Sequence, residues 1–72
     1  MSDEVTVPYI TLGDFLRREG LADNGGHAKA LVQEGHVSVN GETEKRRGKK
    51  LVEGDRVAVD GTDERTVTNL RR

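Results

Sequence analysis

Five cations in six consecutive positions, Lys45-Arg46-Arg47-Gly48-Lys49-Lys50, are the residues of this chain best suited to do chemistry, and that chemistry is the binding of phosphate. A guanidinium fork bonds two phosphate oxygens at once, and a lysine adds a mobile point charge. Gly48 would let a backbone approach closely. In an arbitrary protein such a run is more often a solvated face. Here the remainder is acidic: residues 1–44 carry three basic and eight acidic side chains, residues 45–56 six basic and two acidic, and residues 57–72 three of each. The net charge of −1 therefore conceals a local cationic field whose self-repulsion a polyanion would relieve.

Weaker candidates lie upstream. Gly25-Gly26 opens a segment of helical spacing, so their N–H groups are available to an anion, although a glycine pair more often simply makes a turn. No Walker pattern follows, since Lys29 is misplaced for one. Lys29 and His27 extend the same corner, His27 being equally readable as a phosphate or base donor and as an inert surface residue. His36 reads as a half-buried residue at a strand entry. The two histidines lack the i, i+4 spacing of a helical metal site, so no metal and no cofactor is expected. Asp14, Glu19 and Asp23 are explained by helix ends or solvent, serine occurs only at positions 2 and 38, and cysteine is absent. The expectation is a non-enzyme.

Those residues must be positioned by a small frame. The 72 residues suit one domain with a thin aliphatic core. With no cysteine the chain lacks disulfides and thiolate metal sites, which suits a cytoplasmic protein. Its apolar runs are too short to cross a bilayer, and Met1-Ser2-Asp3-Glu4 is acidic where a signal peptide is basic. Tyr9 and Phe15 are the only aromatics, a poor supply for a base-stacking platform, so RNA contact would rest on charge and shape.

Val5-Thr6-Val7 ahead of Pro8 predicts an edge strand. Thr11 predicts a helix cap, Leu12, Phe15, Leu16 and Glu19 a helical stripe, and Gly20 its stop with Leu21 folding back. Asn24, then Ala28, Leu31 and Val32, then Gly35 repeat the device. Val37-Ser38-Val39 followed by Asn40-Gly41 predicts a type I′ hairpin with residues 42–44 opposite. Leu51-Val52 read as apolar anchors, Glu53-Gly54-Asp55 as a turn, residues 56–60 as a strand with its valines on one face, and Thr66-Val67-Thr68 as the last strand, before a fraying Arg71-Arg72. The class is α+β: two helices packed on a small, mostly antiparallel sheet.

In that order, the residues resemble the RNA-binding domain named after small-subunit ribosomal protein S-four, the alpha-L motif. The likeness covers residues 10–59 of a single domain spanning 1–72, and it is carried by Glu34-Gly35-His36-Val37-Ser38-Val39-Asn40-Gly41 with Gly54-Asp55-Arg56-Val57 downstream. Many members begin helix two with serine and arginine facing RNA, where this chain has Asn24-Gly25-Gly26-His27. That variant, with the basic run, is similar to small stand-alone bacterial proteins of the YaaA and YbcJ group. The resemblance implies binding to structured RNA, ribosomal or transfer, on or off the ribosome, and the chain is expected to be a monomer. Its contacts would be Lys45, Arg46, Arg47, Lys49, Lys50, Lys29, His27 and the Gly25 and Gly26 amides. Two other readings compete: a protein-interaction domain using the basic loop or an edge strand, and a DNA-binding helix-turn-helix, for which helix two offers too few base-reading residues.

Overall fold

Helix boundaries follow from local chemistry in the computed structural model, which describes residues 8–70. Thr11, extended at φ −76° and ψ 156°, accepts the Asp14 N–H on its hydroxyl and starts α1 (Leu12–Arg18). Asn24 does the same for α2 (Gly25–Gln33), its Oδ1 accepting the His27 N–H at 2.8 Å. Both helices close through a left-handed glycine. Gly20 (φ 75°) donates to the Arg17 carbonyl while Leu21 donates to that of Leu16, and Gly35 (φ 82°) with His36 repeats the pattern on Val32 and Leu31. Leu12, Phe15 and Leu16 on α1 and Ala28 and Val32 on α2 are buried where the helices pack together.

The strands form two sheets. The larger has the order β3 (Glu42–Thr43), β2 (Val37–Val39), β5 (Arg56–Val59), β6 (Arg65–Thr66), antiparallel throughout. Its inner face is read off the alternation of Val37 with Val39 and Val57 with Val59, all buried. Asn40 (φ 52°) and Gly41 (φ 89°) make the type I′ turn between β2 and β3. Asn40 also ties the hairpin to β5, since its Oδ1 accepts the Arg56 N–H at 2.9 Å and its own N–H donates to the Arg56 carbonyl. In the Glu53-Gly54-Asp55 turn, the Asp55 carboxylate accepts the Val52 N–H at 2.9 Å, and Gly54 has φ 97°.

The smaller sheet pairs β1 (Ile10–Thr11) with β4 (Lys50–Leu51), Ile10 opposite Leu51 and Thr11 opposite Lys50. Two expectations are corrected here. Lys50 is a strand residue rather than part of the loop, and Val52 is no anchor: Leu51 takes the inward position, so Val52 faces out and is 37% exposed. The last strand sits one residue earlier than expected, with Val67 buried just after it. The strand expected at Val5-Thr6-Val7 and the fraying Arg71-Arg72 lie outside the described residues.

Candidate nucleic-acid interface

The basic segment between β3 and β4 is pinned to the start of α1. The first N–H groups of a helix have no partner within it. Here Leu12 N–H donates to the Lys49 carbonyl at 2.8 Å, Gly13 N–H to the Arg47 carbonyl at 2.9 Å, and Asp14 N–H to Thr11. The loop backbone thus completes the helix, and the helix orders the loop. Glycine at position 13 leaves room for the Arg47 side chain: a Cβ there would stand 2.6 Å from Arg47 Cγ and 3.1 Å from its Cδ. The Arg47 stem consequently lies along α1.

Beside it opens a cleft of about 220 Å³ between α1, the start of α2 and the loop, lined by Thr11, Gly13, Asp14, Arg17, Gly25, Ala28, Arg47 and Gly48. Arg17 projects across it. Its Nη1 lies 3.7 Å from where a Gly25 Cβ would stand, and its Nη2 lies 3.6 Å from Asp14 Oδ1. Sequence reasoning missed Arg17. The available signal was its i, i+4 spacing from Gly13, which puts both on one flank of the Leu12, Phe15, Leu16 stripe.

The structure separates the predicted cations. Arg47 reaches the cleft, whereas Arg46, Lys49 and Lys50 line an adjoining hollow that shares Gly48 with it. Lys45 turns toward the far end of α2, its Cε 3.6 Å from the Cβ position of Gly35. Arg46 is held by Glu44, whose Oε2 accepts both the Arg46 backbone N–H (3.1 Å) and Nε–H (3.2 Å). Burial pushes the Glu44 carboxyl up, but the Arg46 hydrogen bonds, with the charges of Arg46 and Lys49, outweigh it and hold the carboxyl below its ordinary value. Among the described residues no carboxylate oxygen lies within 4.0 Å of a side-chain nitrogen of Lys29, Lys45, Arg47, Lys49 or Lys50. Arg18, Arg56 and Arg65 are instead tied to Glu19, Glu64 and Glu19 respectively, Arg18 also reaching the Thr68 carbonyl.

At the α2 corner, Gly25 borders the cleft, and no hydrogen bond from the Gly25 or Gly26 N–H occurs among the described residues. His27 serves the local structure: its Nδ1 accepts the Asp23 N–H at 3.0 Å, leaving Nε2 as the nitrogen that can meet a ligand. Lys29 is exposed one turn beyond Gly25 on the same flank. His36 sits apart, between Asp60 (3.1 Å) and Glu34 (3.5 Å), and the hydrogen bond to Asp60 raises its pKa against a smaller opposing effect of burial. Among the described residues no group of three or more His, Asp or Glu side chains is placed to hold a metal, and no helix is long and apolar enough to cross a membrane. The cleft offers the Arg17 and Arg47 guanidinium groups and the Gly25 N–H as donors, with the Asp14 carboxylate 3.6 Å from Arg17 as a counter-charge, and the one hydroxyl it contains, Thr11, is engaged in capping α1.

The model of the family described as "S4 domain" matches residues 4–67. The "Probable ribosome maturation protein RlbA" of Bacillus subtilis is 43% identical over 65 residues, which cover 90% of this chain and 92% of that protein. The "Putative RNA-binding protein YbcJ" of Escherichia coli is 39% identical over 54 residues, covering 75% of this chain and 77% of that one.

Proposed function

Because the chain belongs to the S4 domain family, we propose that it is a non-catalytic, cytoplasmic RNA-binding protein that grips the backbone of structured RNA. The observation that carries the reading is the pinning of the basic loop on α1. It fixes Arg47 beside Arg17 at a cleft bordered by Gly25, and sets Arg46 and Lys49 alongside. A solvated charge run would have no need of such anchorage. Phosphates spaced along one strand enter the cleft and the hollow in succession, with Lys29, His27 Nε2–H and the Gly25 and Gly26 amides meeting them at the α2 corner. Lys45 and Lys50 widen the field from either side.

Ribosomal RNA is the favoured class of ligand, with transfer RNA second. The names of the two relatives, one a ribosome maturation protein and one an RNA-binding protein, support this choice.

Neutralising ~4 or 5 phosphates on unpaired RNA gives log K against log salt a slope of about −3. Titration of purified ribosomal RNA across a salt series should return that slope, with duplex DNA of equal length bound more weakly. A slope near zero refutes phosphate gripping as the mechanism.

A further inference from the structure

The outer face of the β1–β4 sheet carries a second feature beside the cations. Continuing the register of Ile10 with Leu51 by one residue sets Tyr9 across from Val52, both pointing outward because Leu51 points in. They are the exposed large hydrophobic residues of the described chain, Tyr9 at 47% and Val52 at 37%. Lys50 Nζ stands 5.1 Å from the centre of the Tyr9 ring, and Lys50 with Arg46, Gly48 and Lys49 lines the adjoining hollow. Gly48 belongs to that hollow and to the Arg47 cleft alike, so the two adjoin.

We propose that Tyr9 is a stacking site for one unpaired RNA base, with Val52 supporting its edge and Lys50, Lys49 and Arg46 neutralising the flanking phosphates; this rests on the RNA-binding reading above. One ring and one valine are far too little for the core of a stable protein interface. A half-exposed ring with Lys50 beside it, next to a hollow lined by further cations, instead matches a nucleotide, which brings a flat apolar face and an anion together. The base has to be unpaired, in a bulge, loop or end, because bases inside a helix have both faces covered by their neighbours. Low aromatic content argued against a stacking platform, but one ring placed beside the cations supplies a single-base version of it.

Tyr9 is the sole tyrosine and the chain has no tryptophan, so tyrosine emission reports this ring alone. The probes are a short blunt RNA duplex with a one-nucleotide bulge, the same duplex fully paired, and inorganic polyphosphate. Affinity is read from labelled duplex and emission is corrected for RNA absorbance. The bulged duplex should bind about tenfold more tightly than the paired one and quench Tyr9. Tyr9→Leu should lose that advantage, and Tyr9→Phe should keep it. Equal affinity for the two duplexes with unchanged emission overturns stacking while leaving the RNA reading intact. Quenching of equal size by polyphosphate also overturns it, since departure of Lys50 from the ring would then account for the signal. Failure of both duplexes to bind overturns stacking and RNA binding together.

Discussion

Replacing Gly13 with alanine removes no charge, yet it should weaken RNA binding. The added Cβ would meet Arg47 Cγ at 2.6 Å and Cδ at 3.1 Å. Carbon atoms rest at roughly 3.5–4.0 Å, so the stem must retreat by about 1 Å. If the loop backbone moved instead, the 2.9 Å bond from Gly13 N–H to the Arg47 carbonyl would be strained, an overpacking cost of about 1–3 kcal/mol. Arg47 is exposed, so swinging its side chain into water is the cheaper route. Glycine to alanine within a helix gains about 1 kcal/mol. Gly13→Ala should therefore fold with stability within about 1 kcal/mol of the parent. Losing one phosphate contact should cost RNA binding about 1 kcal/mol, roughly fivefold, and shallow the salt slope by about 1. The sharper test is the double-mutant cycle. With Arg47→Ala already present the clash is gone, so Gly13→Ala should leave RNA affinity unchanged and stabilise by about 1 kcal/mol in urea unfolding. Parent-like RNA affinity for Gly13→Ala alone, or an equal affinity loss in both backgrounds, would refute the reasoning.

Asn40→Ala should cost about 2 kcal/mol of unfolding free energy with the urea m-value unchanged, because alanine resists a φ of 52° and the Arg56 N–H loses its acceptor. Glu44 should titrate below its ordinary 4.5 by carboxyl NMR, and in Arg46→Ala its midpoint should climb back toward that value, since burial then faces only the backbone N–H at position 46 and the charge of Lys49. Because its pKa is lowered on folding, the stability that Glu44 contributes is present above the ordinary value and lost as the pH falls through the lowered one. His36 has the opposite sign: its ring should titrate above 6.5 and drop in Asp60→Asn, and its contribution is complete below 6.5 and lost as the pH rises through the raised value.

Elements with strong local chemistry were legible in the sequence. Thr11, Asn24, Gly20 and Gly35 mark both helices, and Asn40-Gly41 marks the hairpin, because caps and left-handed turns are specified by one or two residues. The β1–β4 pair was not legible. Two-residue strands carry no alternation, and Lys50 closes a run of cations, so it read as loop. Val52 was misplaced by treating adjacent apolar residues as both inward, where a strand permits one. At the interface the cations were visible as a block, but their partition between cleft, hollow and the end of α2 depends on how the loop backbone docks on α1. Arg17 and Gly13 gain their meaning only from that docking, one by reaching toward Gly25 and the other by making room for Arg47. Asp55 is similar: the Gly54-Asp55 turn was readable, whereas its carboxylate bond to Val52 N–H required the folded chain.

The central claim is that the pinned basic segment holds RNA. Its most direct test is crosslinking in cells, with sequencing of the attached RNA, for the parent and for the variant carrying alanine at Arg46, Arg47, Lys49 and Lys50, with the variant's folding verified by circular dichroism. The account predicts enrichment of one structured RNA by the parent and its loss in the folded variant. An unchanged RNA profile in that variant would contradict the assigned surface, and protein partners that survive nuclease with no enriched RNA would contradict the function.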